Sequence, residues 1–156
     1  IGATGAPFDA YLTLRGLRTL HARMRSHGEN AARVASMLAA HPAIERVYYP
    51  GLPQHPGHEL AREQQQGFGA MVSFELAGGL ARVPGFLEAL KHFSLAESLG
   101  GVESLVAHPA SMTHAAMAPE ARARAGITDG LLRLSIGIED GGDLVRDLEQ
   151  ALAVSR

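Results

Sequence analysis

Cysteine and tryptophan are both absent from this 156-residue chain. Without thiols there is no disulfide framework to support the fold, a composition that fits a cytoplasmic protein. The eight histidines have no zinc-type spacing. No run of about 18 apolar residues occurs, so nothing reads as a membrane-spanning helix. Charge is nearly balanced, with Lys+Arg 14 against Asp+Glu 16 and a net charge of −2, which lacks the basic footprint of a nucleic-acid surface. Arg15, Arg18, Arg23 and Arg25 do gather, but on a helix they read as a solvated face. Lysine is represented only by Lys91, in the amphipathic stretch LEALKHFSL, where a surface position is expected. Internal repeats, low-complexity segments and a signal-peptide pattern are also missing. The chain opens on Ile1 with the glycine-rich IGATGAP, so residues 1–7 are expected to be a linker remnant within a longer polypeptide, and 8–156 one domain.

Hydrophobic residues make up 46% of the sequence, enough for a chain of this size to bury about 68–70% of its unfolded surface. From Phe8 to Ala40 the spacing predicts one long helix, with Leu17, Leu20, Met24, Ala31, Val34 and Leu38 on its apolar face. Pro42 stops it. A strand is predicted from Ile44 to Tyr49, closed by Pro50-Gly51, and a short polar helix from about His58. GAMVSFEL alternates as a half-buried strand ended by Gly78-Gly79. A helix follows over Ala81–His92, then a brief strand over 93–96. Pro119 and Gly126 bracket another short helix. LLRLSIGIE is the best late strand, and GGDLVRDLEQALAV a final helix with Leu144, Leu148 and Leu152 on one side. Helices and strands mix without a strict alternating repeat, which favours an α+β fold with a largely antiparallel sheet.

The stretch LAESLGGVESLVAHPASMTH, residues 95–114, is too polar for a core element. Beside it, Arg133 stands in the opposite phase to Leu132 and Leu134, so an alternating strand sends its guanidinium to the other face. There it could grip a carboxylate bidentately, or pair with Glu139 or Asp129 as an ordinary surface ion pair. Glu97 and Glu103 read as an acid–base pair or as a solvated loop. Ser98 and Ser104 lie in no nucleophile elbow and read as hydrogen-bonding loop serines. Gly100-Gly101 matches no phosphate-loop fingerprint and reads as a tight turn. His55 and His58 flank a Pro-Gly turn.

AESLGGVESL, HPASMTHA, LLRLSIGIED and DLEQAL, preceded by LRGLRTLHARM and VYYPGL, resemble in this order the C-terminal portion of the Cys/Met-metabolism enzymes that use pyridoxal phosphate, the cystathionine γ-synthase and γ-lyase group. The resemblance covers essentially the whole chain. It implies the small C-terminal domain of an aspartate-aminotransferase-like (type I) fold, with a long N-terminal helix. It also implies a cytoplasmic homotetramer whose cofactor is held mainly by an upstream domain, including the lysine that carries it. By this resemblance Arg133 holds the substrate α-carboxylate, and no catalytic residue lies in this segment. Ser98 corresponds to the serine whose neighbourhood positions the catalytic lysine, Leu99 follows it along the same wall, Thr113 faces the substrate, and Glu97 sits near the pocket mouth. The absence of a Trp-Gly-Gly step and the glutamate before Ser-Leu-Gly favour the γ-synthase or γ-lyase branch over β-lyases and methionine γ-lyases. The substrate implied is cystathionine or an activated homoserine ester. A stand-alone amino-acid-binding module acting through Arg133, or an oligomerisation module built on the first helix, are the alternatives.

Overall fold

The computed structural model describes Gly2 and residues 4–155. Of the expected linker, Ile1 and Ala3 fall outside the described residues, as does Arg156 at the far end. Pro7 already begins a helix, in the first-turn position where its missing N–H costs nothing.

The single long helix expected over residues 8–40 is two helices, α1 (Pro7–Leu17) and α2 (Leu20–Ala40). The break follows Gly16, whose carbonyl accepts from the Thr19 amide, the Thr19 hydroxyl and Arg23 Nη2. A threonine side chain competing for a backbone carbonyl is a local alternative to the helical ladder. The predicted apolar face divides there too. Ala31, Val34 and Leu38 are fully buried, whereas Leu17, Leu20 and Met24 are exposed and α1 buries nothing.

A five-stranded sheet follows, in the order β1-β2-β5-β4-β3. Its strands are β1 (Ile44–Tyr48), β2 (Met71–Leu76), β3 (Ser94–Leu95), β4 (Leu105–Ala107) and β5 (Leu131–Ser135). All neighbours are antiparallel except β3 and β4, so the α+β, largely antiparallel expectation holds. β4 was not legible: it lies inside the polar stretch 95–114, its three residues buried. The short helices α3 (His58–Gln64) and α5 (Pro119–Arg124) stand where expected.

One sheet face, carrying Val72, Phe74, Leu132 and Leu134, packs on α2, α4 (Val83–Ala89) and α6 (Gly141–Val154). Phe74 meets Phe86 of α4 edge-on, with ring centroids 5.9 Å apart. Leu144, Leu148 and Leu152 of α6 are buried as predicted, each contributing about 1.5–3 kcal/mol. Asp140 caps α6, its Oδ1 accepting from the amides of Gly142 and Asp143. Arg82 closes the other end, donating to the carbonyls of Leu152 and Ser155, where a cation also opposes the helix dipole.

The helix expected over 81–92 is shorter. A 3₁₀ turn at Gly79–Ala81 precedes α4, which stops at Ala89. The cause is Asp147, a buried carboxylate on α6 that accepts from the amides of Lys91, His92 and Phe93 at 2.8–3.3 Å. These amides turn toward the carboxylate rather than back along the helix. Hydrogen bonds to charged groups contribute about 1.5–3 kcal/mol each, so Asp147→Ala is expected to destabilise the intact protein by about 3 kcal/mol or more. Asp147→Asn, which keeps an acceptor oxygen, is expected to lose less; urea unfolding checks both.

Candidate functional site: the open face of β5

Alternation along β5 sends Leu132 and Leu134 into the helix-covered core and Arg133 and Ser135 to the opposite face. Arg133 is register-paired with Ser73 of β2 and Ala107 of β4, two small neighbours that leave room for its long side chain. It makes no ion pair among the described residues. Glu139 is engaged with Ser104, and Asp129 pairs with Arg122. Instead, Arg133 Nη2 donates to the carbonyls of Glu97 and Ser98 at 3.0 and 3.2 Å. Nη1 and Nε, with three of the five guanidinium protons, have no described partner.

The loop that supplies those carbonyls runs from β3 to β4 and is anchored along its length by β5 and its exit. Gly100 donates its N–H to Ser135 Oγ at 2.9 Å. Its φ of +78° is the left-handed conformation that glycine adopts without steric cost. Ile138 N–H donates to Val102 O at 2.9 Å. Ser104, fully buried, donates both its N–H and its hydroxyl to the Glu139 carboxylate, and its Oγ accepts from Gly137 N–H. On the other side, α2 holds the same exit: His27 Nδ1 lies 2.6 Å from Ile136 O, and Asn30 Nδ2 donates to the carbonyls of Gly137 and Glu139.

Three of the sequence-predicted site residues therefore come together. Glu97 and Ser98 meet Arg133 through their backbone carbonyls, and Leu99 follows with its side chain exposed. Thr113 is elsewhere, in the turn that leaves the other end of β4, and its hydroxyl is 2.8 Å from His114 Nδ1. The carboxylates of Glu97 and Glu103 are in exposed residues and have no described partner, the arrangement of a solvated loop. Ser104 is the hydrogen-bonding serine expected. Ser135 and Glu139 had no such expectation as anchors; the available signal was a serine two residues beyond Arg133 in the same strand phase. His55 and His58 each lock a turn, His55 Nδ1 accepting from Gly57 N–H and His58 Nδ1 lying 2.7 Å from Pro50 O.

Two cavities lie away from Arg133. One of about 500 Å³ runs along β1 between Arg46, Tyr48, Leu52 and His55, and one of about 200 Å³ lies near Glu75 and Asp129. On β1, Tyr48 donates its hydroxyl to Glu75 on the sheet face that carries Arg133. Burial, and then this bond to a carboxylate, push the Tyr48 phenol above its usual value; burial alone raises Tyr49.

The family described as Cys/Met metabolism PLP-dependent enzyme matches residues 1–153, and the chain belongs to it. It is 58% identical over 149 residues to a cystathionine gamma-synthase of Escherichia coli, covering 96% of this chain and 39% of that protein. It is 54% identical over 152 residues to a cystathionine gamma-lyase of Dictyostelium discoideum, covering 97% and 39%. The crystal structure of cystathionine gamma synthase from Xanthomonas oryzae pv. oryzae, in complex with aminoacrylate and cysteine, superposes with a TM-score of 0.93 at 65% identity. That match covers 99% of this chain and 40% of the solved one. The chain thus spans about two fifths of the length of these relatives.

The family's cofactor is pyridoxal phosphate, which requires an amine to condense with its aldehyde and donors for its phosphate. Lys91 is the chain's one lysine. It is exposed, and its backbone N–H is bound to Asp147 of α6 in the helix layer, across the sheet from the open face. The described residues offer an arginine with unpaired donors and no amine on the open face to condense with that aldehyde.

Two outcomes follow from this geometry. A Cβ at Gly137 would stand 2.4 Å from Val102 O and 2.7 Å from the Glu103 carbonyl carbon. Both are backbone atoms, so Gly137→Ala is expected to cost about 1–3 kcal/mol or more in urea unfolding. For Tyr48 and Tyr49, folding raises the pKa, so their stabilising contribution is full below the ordinary phenol value of 10.0 and is lost as pH climbs through the raised values. Phenolate absorbance followed against pH is expected to show both ionising late.

Proposed function

We propose that this chain is the C-terminal small domain of a pyridoxal-phosphate-dependent transsulfuration enzyme, with residues 8–156 forming that domain. The enzyme acts on cystathionine or an activated homoserine ester by γ-elimination or γ-replacement. The observation that carries the reading is Arg133: a guanidinium on the open face of the sheet, free of any described carboxylate, with one nitrogen steadied by two carbonyls. Such a group suits the α-carboxylate of an amino acid. Relatives named cystathionine gamma-synthase and gamma-lyase are consistent with the reaction class, a cystathionine beta-lyase and an L-methionine gamma-lyase standing at similar identity.

In this reading Arg133 binds and orients the substrate, and fixing one end of a small zwitterion limits the orientations it can present to the chemistry. Ser98 and Leu99 form the wall of the substrate pocket. Glu97 lies at its mouth, where its carboxylate favours γ-substituted substrates, and Thr113 approaches from the far end of β4. The cofactor, when bound, supplies the electron sink. The amine that holds it, and the groups that move protons, belong to the rest of the polypeptide, so the segment alone is inactive.

We further place the enzyme in the cytoplasm as a homotetramer. Phe8, Tyr11, Leu12, Leu14 and Leu17 of α1 are all exposed, an apolar surface of the kind that marks an interface. No described helix is long and apolar enough to cross a membrane.

In the intact, cofactor-loaded enzyme, Arg133→Ala is expected to lower kcat/KM by about 10²-fold, because removing one partner of a charge pair costs about 2–5 kcal/mol. The cofactor's visible spectrum should stay unchanged. Arg133→Lys should recover only part of the loss, having no planar fork. Unchanged steady-state kinetics in Arg133→Ala would refute the assignment.

A further inference from the structure

Ser135 belongs neither to the core nor to the carboxylate grip, yet it is 3% exposed and on the same strand face as Arg133, two residues on. Its Oγ takes the Gly100 amide, while Arg133 takes the carbonyls of Glu97 and Ser98. Adjacent positions on one face of β5 thus hold one short backbone segment at both ends. Ser98 and Leu99 lie within the span, and no hydrogen bond is described for the Ser98 hydroxyl.

The two tethers differ in kind. Arg133 is at once a tether and, on the reading above, the group that receives the substrate. A carboxylate taken by Nη1 and Nε would share the guanidinium whose Nη2 holds the Glu97 and Ser98 carbonyls, so the two interactions are coupled. Were that the loop's only hold on β5, substrate binding and loop placement would be one event. Ser135 is a short side chain with a hydroxyl fixed by the strand, and its bond to Gly100 does not involve the guanidinium. Beyond it, the loop's far end is held independently by Ile138 and Glu139.

We propose that Ser135 is a positioning residue that keeps Ser98 and Leu99 in place while Arg133 turns to the substrate carboxylate. This rests on the function proposed for Arg133 and adds a second residue to it. Acting through Gly100, Ser135 governs how well a bound substrate is presented rather than how tightly its carboxylate is held.

The test uses the intact, cofactor-loaded enzyme. Ser135→Ala is expected to lower kcat about tenfold, misplacement of bound groups being costly to the reacting geometry, with KM within about threefold of the parent. Arg133→Ala should act chiefly through KM, and unaltered kinetics in that variant alone would condemn the carboxylate assignment on which this proposal rests, a failure distinguishable from that of the tether itself, which is read in Ser135→Ala. Independently of turnover, hydrogen exchange in the peptide spanning residues 97–101 should accelerate roughly 5–10-fold in Ser135→Ala, as expected for one lost hydrogen bond, with core peptides unchanged. Should Ser135→Ala fold poorly, Ser135→Thr against Ser135→Val provides an isosteric pair with and without the acceptor, and only the valine variant should show faster exchange and lower kcat. Parent-like exchange and kcat in Ser135→Ala, or a change confined to KM, would overturn the proposal.

Discussion

The exit of β5, residues 136–139, is the constraint on which the other elements depend. It leaves the sheet with polar backbone groups to satisfy, and these are taken up from two directions. His27 and Asn30 reach down from α2 to the carbonyls of Ile136, Gly137 and Glu139, while Ser104 and Val102 meet it from the loop before β4. A buried amide or carbonyl left without a partner costs about 1–3 kcal/mol, so these contacts can be lost only at considerable expense. The result is that a helix, a strand end and a loop distant in sequence are fixed to one another before any ligand enters.

That junction explains the division of labour in the sheet. One face is given to apolar side chains under α2, α4 and α6, and its rigidity is that of a packed interior. The other carries Tyr48, Ser73, Glu75, Arg133 and Ser135, where the strand backbone dictates spacing and polar groups do the contacting. An arginine placed there inherits the stiffness of the core behind it. Functional groups on a strand backed in this way are located more accurately than the same groups on a loop.

Much of this was legible because the signals were periodic. Leu144, Leu148 and Leu152 announced α6, and the opposite phase of Arg133 to Leu132 and Leu134 announced the open face. The remainder depended on contacts between distant parts of the chain, which periodicity does not encode. β4 escaped because it is only three residues long, set among glycines, serines and glutamates, and is strand-like through pairing with β5 rather than through its own composition. α4 stopped early because a carboxylate 56 residues from Lys91 claims the next amides. The division of the first helix turned on three donors converging on the Gly16 carbonyl. Glu97 was read for its carboxylate, whereas the described contact is its carbonyl, a group every residue possesses.

α1 carries a consequence for the hydrodynamics of the segment. Its exposed Phe8, Tyr11, Leu12, Leu14 and Leu17 are spread around more than half the circumference at 3.6 residues per turn, so no single flat neighbour can cover them. With those side chains left bare, the molecule would be adhesive along α1. Its apparent size in solution would then rise with concentration, a property of the sample rather than of the folded unit.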